Sequence, residues 1–199
     1  ELTGMVNRCH RKAESWSDES GFIGGPRVTT EEILHVIHQE SIEMIFVLEK
    51  VQGVSSTILG CVQVYWKSSS FDDDGQPEGR IEMLTVAPEI QSRGLGGFLL
   101  VWAEWICYTI GKTTKVTLEV LDSRQDIIPW YVRVGYIVTG HSMDAAKAWE
   151  PYPHAVVLKP SRYLLLMKPM DRMQPIKEHI VVLEKRNAIK LQAPDLQID

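Results

Sequence analysis

Apolar residues recur along this chain in two rhythms, and the rhythm changes mark its elements. Thr29-Thr30-Glu31-Glu32 has the form of a capping box ahead of Ile33, Val36 and Ile37, whose spacing predicts a helix over 30–40 with one apolar face. Residues 44–48 and 58–66 are rich in β-branched and aromatic side chains and flank Gln52-Gly53-Val54-Ser55-Ser56, which reads as the turn of an antiparallel hairpin. A third strand is expected over 80–86, ended by Pro88. From Gly94 onward Leu95, Phe98, Leu99, Trp102 and Ile106 keep helical spacing as far as Gly111. Alternation over 115–121 gives another strand. Residues 126–134 give a short helix stopped at Gly135, followed by strands at 136–139 and 162–168 and a further strand in the tail at 180–183.

Strands interleaved with helices in this order describe an α/β (α+β) fold, a mixed, mostly antiparallel central sheet with helices on both faces. The length of 199 residues suits one domain over 1–170 with an extension of unknown role over 171–199. The apolar share of 44% and charged share of 24% are those of a packed globular chain. No run of about 18 apolar residues occurs, and the start Glu1-Leu2-Thr3 has no basic region ahead of an apolar stretch, so neither a membrane span nor a signal peptide is expected. The chain begins without a methionine, which leaves a preceding strand open.

Cys9, Cys61 and Cys107 are far apart and odd in number, which argues against a disulfide framework or a metal cluster and for a reducing compartment, the cytoplasm or the nucleus. The six histidines show no ligand spacing, and no metal is expected. A net charge of −5 disfavours nucleic acid and mildly favours cationic ligands. The acidic triplet Asp72-Asp73-Asp74 reads as part of a solvated loop.

The most informative segment is Gln91-Ser92-Arg93-Gly94-Leu95-Gly96-Gly97, between a strand and the first turn of the long helix. Glycines let successive main-chain N–H groups approach an anion, and the helix start adds unpaired donors and the positive end of its dipole. A diphosphate fits that geometry, and the Arg93 guanidinium can add forked donors. The segment lacks the Lys-Ser/Thr of a nucleotide P-loop, and its glycine spacing fits a dinucleotide fold poorly. A glycine-rich helix start that binds nothing stays open on the glycines alone.

Ile81-Glu82-Met83-Leu84-Thr85-Val86-Ala87-Pro88, followed by Gln91-Ser92-Arg93-Gly94-Leu95-Gly96, resembles the coenzyme A signature of the GNAT superfamily of N-acetyltransferases, Gln/Arg-x-x-Gly-x-Gly/Ala. Leu118-Glu119-Val120 and Trp130-Tyr131-Val132-Arg133-Val134-Gly135-Tyr136 are similar to the later strand, helix and Tyr-x-x-x-Gly-Phe/Tyr element of that family. Trp16-Ser17-Asp18-Glu19, Gly25-Pro26-Arg27, residues 124–128, Thr139-Gly140 and Pro151-Tyr152-Pro153 are similar to a bacterial-type subgroup. The resemblance covers most of 5–168 and implies a sheet splayed after its fourth strand. It implies that acetyl-CoA is the donor, with Met83, Leu84, Thr85 and Val86 along the pantetheine arm and Gln91, Ser92, Arg93, Gly94, Leu95, Gly96 and Gly97 around the pyrophosphate.

Acyl transfer to an amine needs a neutral nucleophile, yet an alkylammonium with a reference pKa of about 10.4 is only about one part in 10³ neutral at pH 7. A carboxylate near the acceptor is therefore expected. Glu82 and Glu119 lie within apolar strands, where an ionised group needs a partner, solvent or a function. The resemblance implies Glu119 as base, with Glu82 second, while an ion pair with Arg80 or Lys115 is the structural alternative. It implies Tyr131 as the acid that protonates the departing thiolate.

Two departures stand out. Arg124 replaces an asparagine common in relatives, and Pro129 falls inside the short helix. They motivate a second reading, a non-catalytic acyl-CoA sensor or interaction module. The expected acceptor is a small-molecule or peptide amine under a lid at 141–161, with Trp16 and Trp149 as candidate pocket walls. The acceptor's identity and homodimer formation stay open.

Overall fold

The computed structural model describes residues 1–39, 42–49, 57–67 and 75–171. The expected turn at 52–56, the acidic triplet at 72–74 and the expected tail strand at 180–183 lie outside the described residues.

The chain opens with a helix that the sequence reading did not include, α1 (Leu2–Arg11), whose Leu2, Met5, Val6 and Cys9 form one buried face. After β1 (Ile23–Gly24) comes α2 (Thr30–Ile37), where the capping box is formed. The Thr29 hydroxyl accepts from Glu32 N at 3.2 Å and the Glu32 carboxylate accepts from Thr29 N at 2.7 Å, satisfying two orphan donors of the first turn. Strands β2 (Ile42–Glu49), β3 (Thr57–Lys67) and β4 (Glu78–Val86) lead through a 3-10 turn at Pro88–Ile90 into α3 (Leu95–Thr109). Then follow β5 (Lys115–Leu121), α4 (Ile128–Arg133), β6 (Ile137–Asp144), α5 (Ala145–Trp149), β7 (Val156–Val157) and β8 (Arg162–Pro169).

Several boundaries differ from expectation; α2 ends at Ile37 rather than at 40, and β2, β3 and β4 are each longer than expected. Helix α4 begins two residues later than 126, with Pro129 in its first turn, where a missing N–H breaks no intrahelical bond. Strand β6 runs on to Asp144 because it pairs with β8 over that length. The expected lid over 141–161 holds the end of β6, α5 and β7; Asp144 Oδ1 caps α5 by accepting from Ala146 N at 2.7 Å.

The large sheet has the order β2-β3-β4-β5-β8-β6, antiparallel throughout except for the β4–β5 pair, and β1 pairs separately with β7. That one parallel step is crossed by α3, as a parallel connection requires. Successive side chains of β3 serve opposite faces. Val62 and Val64 join α3 and α4 in the main core, while Cys61 packs with α1 and α2. Helices therefore cover both faces, as the order of elements implied. No helix among the described residues is long and apolar enough to cross a membrane.

Candidate active site

The site begins where the sheet opens. Strands β4 and β5 pair only over Glu78↔Lys115, Gly79↔Val116 and Arg80↔Thr117. Beyond that point β5 stays with β8 as far as Leu121↔Tyr163, and β4 stays with β3 as far as Val86↔Gly60. The two diverge into a V whose closed end is fastened by the Thr117 hydroxyl donating to Glu78 Oε1 at 2.6 Å. Gly79 belongs there because a Cβ would meet Cys107 Sγ and lie 2.7 Å from Cys107 Cβ on α3.

At the mouth of the V, β4 carries a bulge. Cys61 faces Thr85 and Gln63 faces Glu82, so Met83 and Leu84 together oppose Val62. Met83 takes up the extra length at φ 52°, a left-handed conformation unusual for a side chain of its size. The β4 edge beyond Arg80 thus faces the gap without a paired strand, the place the sequence resemblance gave to the pantetheine arm.

The loop after β4 turns into α3 through Ser92 at φ 61° and Gly94 at φ 88°. Gln91 N donates to Pro88 O at 3.3 Å and Phe98 N to Gly94 O at 3.0 Å. Between them, the N–H groups of Ser92 to Gly97 donate to no protein acceptor among the described residues. These six donors lie at the positive end of a 15-residue helix. A Cβ on Gly97 would meet nothing within 4 Å and one on Gly96 only Val86 Cγ2 at 3.8 Å, so neither position is filled by the protein. Donors and space both fit a diphosphate. The Gln91 side chain does other work: it donates to Val86 O at 2.8 Å and Ser15 Oγ at 3.0 Å and accepts from Trp16 N at 2.8 Å, tying the loop to the segment after α1.

Two cavities meet along the V. One runs beneath the α3 start, past Trp16, Val86, Ser92, Gly96 and Trp130. The other reaches toward α1 and β8, past His10, Glu19, Arg27, Glu119 and Tyr163. Ser17, Leu84, Ile127 and Tyr131 line both. Tyr131 therefore sits at the junction, 7% exposed, in an edge-to-face stack with Trp130 at 4.8 Å and Tyr136 at 5.6 Å. Burial pushes its phenol above the ordinary range, Arg124 opposes and Glu19 adds to the shift, so the hydroxyl carries its proton at neutral pH. Trp16 lines the first cavity, while Trp149 lies a layer behind the second, its Nε1 donating to Tyr163 Oη at 2.9 Å.

Arg124 occupies the place of the relatives' asparagine as a clamp. It donates to Asp126 through Nε at 2.9 Å and Nη2 at 2.8 Å, and to Trp16 O at 2.5 Å, holding the post-α1 segment against the loop ahead of α4. Burial works against its charge, but Asp126 outweighs this and raises its pKa.

Glu82 and Glu119 both line the second cavity and share Arg80, which lies 3.0 Å from Glu82 Oε1 and 2.7 Å from Glu119 Oε2. Tyr65 Oη also donates to Glu82 at 3.2 Å. Opposite them stands a group that sequence reasoning missed. Glu19 lies 3.7 Å from His10 Nδ1 and 3.5 Å from Arg11 Nη1, and all but Arg11 of these, with Arg27, line the cavity. Burial raises the Glu19 carboxyl, but His10, Arg27 and Arg11 overcome this and hold it at about 2. Its signal in the sequence was the segment Trp16-Ser17-Asp18-Glu19 with Gly25-Pro26-Arg27, which the resemblance had singled out without a role.

Known proteins share this fold. A chimera of spermidine N-acetyltransferase SpeG from Vibrio cholerae and hSSAT superposes at a TM-score of 0.52 with 16% identity, over 85% of this chain and 90% of the other. Arabidopsis thaliana NAA60 in complex with a bisubstrate analogue gives 0.58 with 16% identity, over 72% and 84%. A GNAT family acetyltransferase from Elizabethkingia anophelis with acetyl-CoA bound gives 0.51 with 20% identity, over 71% and 83%. No curated protein matches the chain in sequence. The model of the acetyltransferase (GNAT) family matches residues 11–136, from the end of α1 to Tyr136. That span holds the splayed strands, the glycine loop ahead of α3 and Tyr131, and the chain belongs to the GNAT family of acetyltransferases.

Proposed function

We propose that the chain transfers an acetyl group from acetyl-CoA to a primary amine by direct attack within a ternary complex, and that residues 1–170 form the catalytic domain. The supporting observation is the run of six N–H groups, Ser92 to Gly97, with no protein acceptor among the described residues and directly beside the open edge of β4. Acetyl-CoA supplies an activated thioester carbonyl. The N–H groups of 92–97, with Arg93 beside them, hold the pyrophosphate, and the bulged edge at Met83 to Val86 lies along the pantetheine arm.

The amine nitrogen forms its bond to the carbonyl carbon, and collapse of the adduct breaks the carbon–sulfur bond. Tyr131 gives its phenolic proton to the departing sulfur, and the phenolate recovers a proton from the nitrogen, so the residue is restored. Protonating Glu82 or Glu119 breaks an ion pair with Arg80. These two carboxylates therefore draw a cationic acceptor into the cleft, with Glu119 as the first candidate base and Glu82 as the second. One of the similar structures is named as a spermidine N-acetyltransferase, which agrees with an amine acceptor. The reading as a non-catalytic sensor loses its motive: Pro129 leaves α4 intact and Arg124 is a clamp.

The test is steady-state turnover of acetyl-CoA with primary amines and peptides. Tyr131→Phe is expected to lower kcat about 100-fold or more while acetyl-CoA binding is kept. Unchanged turnover in that variant removes Tyr131 from the mechanism, and binding without any acetylated product favours the sensor.

A further inference from the structure

Arg27 lines the cleft as a cation that the described residues leave without an anion. Its segment is held in place: Arg27 N donates to Asn7 Oδ1 at 2.6 Å, Asn7 Nδ2 donates to Val28 O at 2.9 Å, and a Cβ on Gly25 would collide with His154 O. The guanidinium packs over the Trp149 ring, its Cζ 5.0 Å from the centroid, and Arg11 Cζ lies 5.9 Å from the same ring. Among the described residues the Arg27 side chain makes no hydrogen bond and no ion pair. Its Nε is enclosed without a partner, its two Nη atoms are neither bonded nor enclosed, and the residue lines the cavity that also holds Met83, Leu84 and Tyr131.

The other guanidiniums at this cavity are matched. Arg80 is shared by Glu82 and Glu119, Arg124 is held by Asp126, and Arg11 reaches Glu19 at 3.5 Å. Burial favours the neutral form of His10. Two guanidiniums, Arg11 and Arg27, therefore stand against the one Glu19 carboxylate, whereas on β4 and β5 two carboxylates stand against Arg80 alone. The same cavity thus carries an excess of positive charge on the segments flanking α1 and an excess of negative charge on the splayed strands. Tyr163 lines it beside the positive cluster with a hydrogen to spare: its Oη accepts from Trp149 Nε1 at 2.9 Å and donates to no acceptor among the described residues. Burial pushes that phenol up to about 12, so it keeps its proton at neutral pH.

We infer that the acceptor carries a carboxylate as well as its amine, and that Arg27 binds that carboxylate. The two Nη groups donate to the carboxylate oxygens, Arg11 adds positive charge from behind Glu19, and the amine lies toward Glu82 and Glu119. A single carboxylate matches the one guanidinium in excess. A small amino acid satisfies both clusters at once. A plain alkylamine leaves Arg27 unpaired, and a polyamine sets a second cation against it, so both are rejected by the charge they lack or misplace. This inference rests on the acetyl-transfer reading above and narrows its acceptor; Arg27 binds and orients, and takes no part in making or breaking bonds.

The experiment compares acceptors that differ only by a carboxylate in place of a methyl group, L-alanine against isopropylamine and γ-aminobutyrate against n-butylamine. It measures kcat/KM for wild type, Arg27→Gln and Arg27→Lys, with acetyl-CoA Kd by calorimetry. In wild type at least one amino acid should exceed its methyl partner by about tenfold or more. Arg27→Gln should bring that ratio close to one, and Arg27→Lys, which keeps the charge and loses the fork, should leave it in between. Acetyl-CoA Kd should be unchanged in both variants. An active wild type with no preference for the amino acid in either pair overturns this inference and leaves acetyl transfer standing, as does a preference that survives Arg27→Gln. A joint loss of acetyl-CoA binding and of turnover with all four amines in both variants assigns Arg27 to folding and also overturns it. A wild type that acetylates none of the four overturns it too, and acetyl transfer falls with it only when the peptides of the earlier test are left unmodified as well.

Discussion

Replacing Glu19 by glutamine removes the negative charge at the centre of the buried cluster formed with His10, Arg11 and Arg27. The carboxyl falls from 4.5 to about 2 on folding, against burial, because His10, Arg27 and Arg11 surround it. A shift of that size corresponds to about 3 kcal/mol of stability. The folded pKa is depressed, so this contribution is fully present above pH 4.5 and is lost as the pH falls toward 2. The side chain is only 14% exposed, so screening by salt removes little of it. Urea unfolding of wild type and Glu19→Gln from pH 7 to pH 2 supplies the measure. The variant should be less stable by about 3 kcal/mol at pH 7, the gap should hold to about pH 4.5, and it should close toward pH 2. Burial lowers the His10 pKa while Glu19 opposes the shift, so both proteins lose stability as the pH drops below 6.5. A gap that is constant from pH 7 to pH 2, or below about 0.5 kcal/mol throughout, refutes the charge cluster.

Other perturbations separate binding from folding. Gly97→Asp meets open space in the folded chain and suits a helix start, so the melting temperature should hold while the carboxylate repels the pyrophosphate and weakens acetyl-CoA by about tenfold or more in calorimetry. Gly79→Ala forces a Cβ onto Cys107 at the closed end of the V and should lower unfolding free energy by about 1 to 3 kcal/mol in urea melts. Ser92→Gly releases a left-handed serine at φ 61° and should alter stability by no more than about 1 kcal/mol, upward, with acetyl-CoA affinity retained. A fall in stability there would show that the Ser92 conformation is not strained.

The elements that the sequence makes legible are those held by contacts within a few residues. The capping box fixes the start of α2, the spacing of Leu95, Phe98, Leu99 and Trp102 fixes α3, and alternation fixes β5. Helix α1 carries the same kind of signal in Leu2, Met5, Val6 and Cys9, and the sequence reading passed over it. Helix α5 and strand β7 have five and two residues, too few for a period to show, and they form because a capping aspartate and β1 hold them.

The glycine loop ahead of α3 was legible for a related reason. Its glycines and its place before a long helix lie within one stretch of chain, and the N–H groups of a helix start are free whatever packs nearby. The amino-acid sequence by itself thus determined α2, α3, the central strands, the glycine turn ahead of α3 and the family. The tertiary structure alone decided that β8 enters between β5 and β6, that Met83 bulges at the mouth of the V, and that Arg80 occupies both glutamates. It also brought His10 to Thr85 across 75 positions and set Glu19 beside it. Burial and charge pairing act through space, between groups that no local period links, so which carboxylate is engaged is settled only when the sheet and helices have packed.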